Sequence, residues 1–360
     1  MKIGILNLPF DNNYGGSLQR YALVAVLQRM GYQVEHINLQ LSHKIPWQKR
    51  PFVYAKRLVK KMLFCSSTPI FLERQLRKQK AEKNRLAEKF YEKYIPHTPI
   101  VHTVSDIKKT CSGRYAVYVV GSDQVWREGM TRYIGLENYF LKFTRGEDVR
   151  RIAYSVSTGN NECYNQKLVC KLSSLYKLFD AVSVREETLL PVLESYGWNN
   201  PVPVWTLDPT LLLSVNDYRL LIDRADGVTD ITSGRIYCYI LDDNEKVSEV
   251  IRQKEKELGV ESVVVGLADT ADVSIEQWLN NISKSRFVIT DSYHGTVFSI
   301  LFNKPFLYVG NCRRGNSRID SLFEMLDISA GETDFNWSAI NENILKWRRL
   351  SLSFLKEAIG

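Results

Sequence analysis

Four short polar segments of the chain hold the residue types that bind anions or transfer protons. Each follows an apolar run typical of a buried strand, and the segments are residues 12–17, 121–126, 185–187 and 290–296. Ligands of open parallel sheets bind beyond the carboxyl ends of the strands. We therefore expect the four segments to meet at one site.

Segment 290–296 predicts an anion-binding helix start. Gly295 lets the backbone turn closely from a strand into a helix, whose first N–H groups and positive dipole end attract an anion. Ser292 and Thr296 are candidate binding residues there. His294 stands at the mouth, where an imidazole can transfer a proton or bind a phosphate oxygen. The alternative interpretation of His294 is a histidine that only caps or bridges loops.

Arg185 and Asp123 are two further candidates. Because Arg185 directly follows an apolar strand, its guanidinium is expected at the ligand edge of the sheet, where it can hold a carboxylate or phosphate with two hydrogen bonds. It could instead pair with the neighbouring Glu186 or Glu187. Asp123 can act as a base towards a hydroxyl, or it can cap the next helix. Residue type alone leaves both choices open.

Segment 12–17 has the composition of a phosphate-binding loop, with Asn13, Gly15 and Gly16 in succession. It matches neither the GxGxxG pattern of dinucleotide-binding loops nor a Walker sequence. By itself this segment therefore identifies no ligand.

Alternating strands and helices predict where these segments lie. The first series has strands over 2–8, 33–39, 115–120, 151–155 and 180–184 and helices over 17–30 and 166–179. After a proline-rich stretch the series restarts, with strands over 235–241, 261–266, 286–290 and 305–309 and helices over 244–258, 275–284 and 296–302. Such alternation predicts parallel sheets with helices on both faces.

We predict an α/β chain with two doubly wound, Rossmann-like domains, residues 1–205 and 206–336, that face a cleft. Residues 337–360 are apolar and helical with no strand after them, which indicates a helix that crosses back to the N-terminal domain. With 360 residues, each domain is large enough to bury its own core. The cleft between the domains is the expected site.

The net charge of +8 comes from one helical segment. Residues 44–94 contain 15 Lys or Arg against 4 Asp or Glu, whereas the rest of the chain has 33 against 36. Basic residues confined to one helical excursion do not indicate a nucleic-acid partner. The apolar stripe of this segment includes Ala55, Leu58 and Met62, and it fits either an anionic membrane surface or packing on the protein's own domain.

The six cysteines include no CxxC pair and have no histidine at metal spacing, so neither a disulfide framework nor a structural zinc is expected. Asp242 and Asp243 are expected to be solvated turn residues rather than a metal pair. No run approaches the roughly 18 apolar residues that span a bilayer, and the first residues lack a signal-peptide pattern. We expect a cytoplasmic protein without metal or cofactor, peripheral at the inner face of the membrane if the basic segment binds lipid.

Six sequence strings carry a family resemblance. They are NYGGSLQRYAL (13–23), VVGSDQVW (119–126), AVSVREE (181–187), LDPTLLL (207–213), FVITDSYHGTVFSILFNKPF (287–306) and NSRIDSL (316–322). Together they resemble the polysaccharide pyruvyl transferase family over nearly the whole chain. The resemblance implies a two-domain fold of the GT-B type. It also implies transfer of a pyruvyl group from phosphoenolpyruvate to hydroxyls of a sugar in a cell-surface polysaccharide or its precursor, which leaves a cyclic ketal.

The resemblance also implies roles for the candidate residues. In the family an Arg-x-His pair of the C-terminal domain and an arginine of the N-terminal domain hold the donor; His294 matches the histidine and Arg185 the second arginine. We predict that His294 is a donor ligand and proton-transfer group, Asp123 a hydroxyl base and Arg185 an anion clamp. The predicted acceptor walls are Asn13, Gly15, Gly16 and Trp126, with Gln124 as a further substrate-binding residue.

The chain departs from the family pattern at one position. Ser292 stands where the family often has the arginine of Arg-x-His. Either Ser292 and the helix start suffice, or Arg318 or Arg313 supplies the cation, or the donor differs. The alternative functions are a GT-B glycosyltransferase with a nucleotide-sugar donor and a noncatalytic binding protein of the exopolysaccharide machinery. The partner is a sugar acceptor, for which a lipid-linked oligosaccharide is one candidate.

Overall fold

Two parallel β-sheets organise the chain in a computed structural model that describes residues 1–42, 45, 47–64, 67–159, 163–242, 245–266, 272–310 and 316–360. The first sheet contains β1 (Lys2–Leu6), β2 (Gln33–His36), β3 (Val117–Val120), β4 (Arg150–Val156), β5 (Ala181–Val184) and β6 (Val204–Trp205), in the order β2-β1-β3-β4-β5-β6. The second contains β7 (Ile236–Ile240), β8 (Ser262–Gly266), β9 (Phe287–Thr290) and β10 (Phe306–Tyr308), in the order β10-β9-β7-β8.

Helices cover the two sheets. In the first half of the chain they are α1 (Tyr14–Arg29), α2 (Arg50–Phe64), α3 (Leu72–Tyr94), α4 (Val104–Cys111), α5 (Glu128–Thr131), α6 (Gln166–Tyr176) and α7 (Leu189–Ser195). In the second half they are α8 (Val215–Asp223), α9 (Glu245–Leu258), α10 (Ile275–Lys284), α11 (Tyr293–Leu301), α12 (Ser317–Leu326) and α13 (Trp337–Ile359). The central strands β3 and β9 are buried at every position, as strands covered on both faces must be. The predicted α/β class with two Rossmann-like sheets is confirmed.

Two helices that follow strands at the carboxyl ends of the sheets begin earlier than the sequence predicts. α1 begins at Tyr14 and α11 at Tyr293, each three residues before the predicted start. The reason is a side-chain cap, because Asn13 and Ser292 each accept a hydrogen bond from the amide three residues further on, at 3.1 and 3.3 Å. The expected ligand loops are therefore the capped first turns of two helices.

Helix α1 lies between the sheets and joins their cores. The Tyr14 ring contacts Trp278 and Tyr239 of the second domain, with ring centroids 5.3 and 5.8 Å apart. The Tyr14 hydroxyl donates a hydrogen bond to the Val273 carbonyl at 2.8 Å. One contiguous cluster of buried apolar residues therefore extends from the first sheet through α1 into the second.

Helix α13 contacts both the first sheet and the segment between the sheets. Arg150, at the start of β4, donates a hydrogen bond to the Ala358 carbonyl at 3.0 Å. The amide of Leu207 donates to the Ser351 hydroxyl at 3.0 Å. These contacts fix the inter-sheet segment, whose next residue is the buried Asp208.

The basic segment forms a pair of helices, α2 and α3, on the N-terminal domain. α2 packs on the start of α3 through Tyr54, whose ring lies 5.2 Å from Phe71, and through Arg57, which binds both carboxylate oxygens of Glu73 at 2.6 and 2.9 Å. The apolar stripe of α2 faces away from this contact and is exposed. For α2 the interpretation that the stripe packs on the protein's own domain is therefore wrong, whereas Phe90 and Tyr91 of α3 do pack in the domain core. No helix in the described part of the chain is long and apolar enough to cross a membrane.

Candidate functional site

The carboxyl ends of both sheets open onto one cavity of about 310 Å³. The first domain contributes the segments after β1 and β3 and one residue of α3, and the second contributes the segments after β7 and β9, part of β10 and the start of α12. The lining residues are Asp11, Asn12, Asn13, Lys83, Asp123, Gln124, Met130, Tyr239, Leu241, Asp291, Ser292, Tyr293, His294, Tyr308, Arg318 and Ile319. Six predicted site residues are among them: Asn13, Asp123, Gln124, Ser292, His294 and Arg318.

The two capped helix starts touch each other behind the cavity wall. A Cβ atom added to Gly15 would lie 2.0 Å from Nδ1 of His294, and one added to Gly295 would lie 2.3 Å from Oγ1 of Thr290. Both glycines are thus required by close packing and not by a turn. Thr296 is buried as well, and its hydroxyl donates a hydrogen bond to the carbonyl of the capping serine at 3.1 Å. These three predicted binding residues shape the cavity from behind and do not line it.

A buried ion-pair network lies beneath the cavity. Arg185, whose side chain is 1% exposed, donates one hydrogen bond to Asp208 and one to Asp123, both at 3.1 Å. Asp208 also accepts hydrogen bonds from Gln19 and from the amide and hydroxyl of Thr210. Arg185 therefore pairs with neither neighbouring glutamate, contrary to the alternative interpretation. Arg185 also does not line the cavity. It can act as the predicted anion clamp only if a bound donor displaces Asp123 from its guanidinium group.

Asp123 sits at the boundary between this network and the cavity. Its backbone has a φ of +78°, a left-handed conformation that non-glycine residues seldom adopt and that often marks a functional position. Burial alone would raise the pKa of Asp123, but Arg185, Arg318 and His294 outweigh it and lower that pKa to about 2. Asp123 is therefore a carboxylate at neutral pH. A group with so low a pKa is a weak proton acceptor, which disfavours the predicted base role in the ligand-free protein.

Arg318 brings a second guanidinium to the cavity from the start of α12. Its Nη1 lies 3.7 Å from Oδ1 of Asp123. The Tyr293 ring lies against both guanidinium groups, with its centroid 5.1 Å from Cζ of Arg185 and 5.7 Å from Cζ of Arg318. Arg318 and Ser292 line the same cavity. Arg313, the other proposed replacement, lies outside the described residues.

His294 is a buried, neutral imidazole at the cavity wall. Burial lowers its pKa to about 4, although Asp208 and Asp123 act in the opposite direction. Its Nε2 has no hydrogen-bond partner among the described residues and lies 3.9 Å from Oδ2 of Asp208. In this state the ring can accept a proton but cannot donate one from an imidazolium.

Trp126 is the clearest error among the predicted site residues. It is wholly buried, its ring stacks on Phe140 at 4.5 Å, and its Nε1 donates a hydrogen bond to the Tyr139 carbonyl at 3.2 Å. The residue belongs to the aromatic core on one face of the first sheet, so it is not an acceptor wall. Its neighbour Gln124 does line the cavity, and its Oε1 accepts a hydrogen bond from Arg127 at 2.7 Å.

The sequence argument missed several residues at or near the cavity, among them Lys83, Asp208 and Arg20. Lys83 lines the cavity from α3, and Asp208 lies between Arg185 and His294. Arg20 is buried in the second turn of α1, with Nε and Nη1 lacking a hydrogen-bond partner among the described residues. No local pattern indicates Lys83, which lies in a highly charged helix. Asp208 and Arg20 do fall within two of the strings that carry the family resemblance, LDPTLLL and NYGGSLQRYAL. The resemblance could therefore have identified them as candidates.

Within the described ranges, no group of three or more His, Cys, Asp or Glu side chains is placed to hold a metal ion. Of the two acids weighed as a metal pair, Asp242 donates its amide to Asp291 at 2.9 Å and Asp243 lies outside the described residues. Asp291 also accepts a hydrogen bond from the Leu241 amide at 2.7 Å, so it fixes the start of the segment after β7.

The fold and cavity define a two-domain α/β protein of the GT-B type. Its family is given by the sequence: the model of the polysaccharide pyruvyl transferase family matches residues 13–313, and the chain belongs to this family. No protein of curated function matches the chain significantly.

Solved structures of low sequence identity share the fold. A protein described as a UDP-N-acetylglucosamine 2-epimerase from Listeria monocytogenes has a TM-score of 0.51 at 11% identity, with 100% of this chain and 90% of that chain covered. The UDP-N-acetylglucosamine 2-epimerase of Rickettsia bellii has a TM-score of 0.50 at 10% identity, with 100% and 96% covered. These likenesses confirm the predicted GT-B architecture.

Proposed function

We propose that this protein transfers the pyruvyl group of phosphoenolpyruvate to two hydroxyls of a polysaccharide sugar or its precursor. The observation that carries the proposal is the juxtaposition, in one interdomain cavity of a pyruvyl transferase family member, of Arg318, Lys83 and a neutral His294. A carboxylate and a phosphate need cations of this kind, and attack by a hydroxyl needs an unprotonated base.

The donor anions compete with Asp123 for the guanidinium groups. In the ligand-free protein Asp123 pairs with Arg185 and lies near Arg318. A donor carboxylate or phosphate at Arg318 would take over that charge, and its bidentate geometry suits a guanidinium better than an ammonium. Arg318 would thereby supply the cation that Ser292 does not. The added negative charge raises the pKa of Asp123 and of His294, because both would then lie beside an anion.

In the proposed reaction each of the two sugar hydroxyls loses one proton. As the first sugar hydroxyl bonds to C2 of phosphoenolpyruvate, its proton leaves and a proton reaches C3, which becomes the methyl group. The second hydroxyl then bonds to C2 while the bond from C2 to the phosphate oxygen breaks, and its proton leaves with inorganic phosphate. A neutral His294 can accept the hydroxyl proton and, once protonated, return it to C3.

Asp208 is the proposed positioning residue for this imidazole. It lies 3.9 Å from Nε2 of His294 and is held by Arg185 and Thr210. A buried carboxylate on that side stabilises the imidazolium formed during proton transfer. Removal of its charge should lower turnover more than donor affinity.

Thermal shift and calorimetry test the donor. A ligand that binds only the folded state raises the melting temperature, and a concentration of about 100 times Kd stabilises by about 2.7 kcal/mol. We expect stabilisation by phosphoenolpyruvate, and Arg318→Lys should weaken its affinity by on the order of ten-fold or more. Arg349→Lys, on the exposed surface of α13, is the matched control and should not change the affinity.

The same screen separates the alternatives. Stabilisation by a nucleoside diphosphate sugar, with no response to phosphoenolpyruvate, would overturn the proposed donor and favour a glycosyltransferase. Equal phosphoenolpyruvate affinity in wild type and Arg318→Lys would exclude Arg318 as the donor cation.

A further inference from the structure

Helix α2 presents an apolar face that no part of the described chain covers. Phe52 and Met62 are 74% and 75% exposed, Leu63 is 71% exposed and Val59 is 50% exposed. Trp47, in the turn before the helix, is 74% exposed. Soluble proteins rarely expose several large apolar side chains next to one another. An uncovered set on one helix therefore indicates a binding surface.

The orientation of α2 is fixed by its contact with α3. Tyr54 and Arg57 face α3, where they contact Phe71 and Glu73. At about 100° per residue, Phe52, Val59 and Leu63 lie roughly half a turn around the helix from this contact, and Met62 lies about a third of a turn from it. The apolar face is therefore on the outer side of the helix pair, where the described residues leave it uncovered.

Lysines border this apolar face, with Lys56 and Lys60 next to Phe52 and Leu63 on one side of the helix. Lys56, Lys60 and Lys61 are exposed, and the chain has no Asp or Glu between residues 44 and 72. A helix with large apolar residues on one face, lysines at its borders and no acids lies in the interface of an anionic membrane, where the lysines contact lipid phosphates. A second copy of the helix would instead place like charges together, which disfavours self-association through this face.

We infer that α2 is an interfacial helix by which the protein binds anionic phospholipid bilayers. The apolar face enters the boundary between headgroups and acyl chains, and the flanking lysines bind the headgroup phosphates. This membrane binding does not depend on which donor substrate the cavity accepts.

Helix α3 links this surface to the cavity. Glu73 holds α2 through Arg57, and Lys83 of the same helix lines the cavity. The ten residues of α3 from Glu73 to Lys83 span about 15 Å along the helix axis. If the proposed function holds, this distance suits a sugar acceptor carried by a membrane lipid.

Vesicle flotation tests the proposal with the full-length protein. Vesicles of phosphatidylglycerol and phosphatidylcholine are compared with vesicles of phosphatidylcholine alone, at low and high salt. We expect wild-type protein to float with the anionic vesicles and to be released by salt, because screening weakens the lysine contacts. No flotation, or equal flotation with both vesicles at all salt concentrations, would overturn the proposal.

Two sets of variants locate the binding surface. Met62→Glu with Leu63→Glu should lower vesicle binding by about ten-fold or more, and Leu345→Glu with Leu350→Glu, on exposed positions of α13, is the matched control. Replacement of Lys56 and Lys60 by Gln should lower vesicle binding by about five-fold per lysine, whereas Gln at the exposed Lys108 and Lys109 should not.

Other outcomes of these variants would contradict the inference. Equal flotation of the α2 variants and their controls would place membrane binding elsewhere. A concentration-dependent dimer in sedimentation velocity that Met62→Glu with Leu63→Glu dissociates, without vesicle binding, would assign the face to a second copy of the chain. Specific capture by an acidic protein without vesicle binding would assign it to a protein partner.

Discussion

The protonation state of His294 governs the expected acid side of the pH profile. Its pKa is lowered to about 4 by burial, so the imidazole is neutral above that pH and loses its proton-accepting role below it. We expect kcat/KM, which reports the free enzyme, to fall only below about pH 4, whereas an ordinary histidine would place this limb near pH 6.5. The anionic donor raises the pKa of His294, so the limb of kcat should lie at higher pH than that of kcat/KM.

Steady-state kinetics over this pH range check the assignment. His294→Asn should lower turnover by roughly a hundred-fold or more and abolish the limb. His102→Asn, which alters a histidine outside the cavity lining, is the control and should keep both the rate and the limb. A limb that persists in His294→Asn would show that another group titrates and would leave His294 a binding residue.

Single residues at strand ends were predictable from the sequence because the rule about carboxyl ends of parallel strands needs only the strand assignment. It located Asp123 and His294 at the cavity. Asp208 was not predictable in this way, since its partners Gln19 and Arg185 come from separate segments that meet only in the folded chain. Trp126 was misplaced for the converse reason: its position in a polar segment did not reveal that its ring turns into the core.

At the scale of elements, the first turns of α1 and α11 are in close contact. The imidazole of His294 occupies the space that a Cβ on Gly15 would need. Gly15→Ala should therefore displace the ring, lower stability by about 1–3 kcal/mol and lower activity with it. Gly129→Ala, in the exposed helix α5 where an added Cβ meets nothing within 4 Å, is the control for the glycine-to-alanine change. Thermal melting and turnover are the measurements.

A double variant identifies the cause of that loss. His294→Ala removes the obstructing ring, so addition of Gly15→Ala to it should cost little further stability. The two changes are therefore expected to be strongly non-additive. Additive losses would show that the two helix starts do not contact each other in this way.

Hydrophobic periodicity located many of the strands and helices, and α10 was predicted at Ile275–Lys284, as observed, but α4, α12 and β6 were not predicted. The orientation of α2 did not follow, because an amphipathic stripe has the same period whether it packs on a neighbour or faces outwards. The starts of α1 and α11 were missed because glycine-rich and polar segments resemble loops, and the deciding caps, Asn13 and Ser292, act through side-chain geometry.

At the scale of the whole molecule, the sequence divides into two domains, but one large cluster of buried apolar residues spans both. Tyr14 packs on Trp278, and the apolar cluster continues through α1 from one sheet to the other. The residues that line the cavity are therefore held by elements that share one core, and the cavity depends on both halves of the chain.

This shared core makes the two halves one thermodynamic unit. We expect scanning calorimetry of the ligand-free protein to show a single transition in which the calorimetric and van't Hoff enthalpies agree. Tyr14→Ala, which removes a buried ring at the junction, should lower the melting temperature of that transition and separate it into two. Two resolved transitions in wild-type protein would contradict the expectation.

Cooperative melting would mean that a mutation in either half depletes the folded form of the other half. Loss of activity in such variants therefore cannot be assigned to one half from the position of the mutation alone.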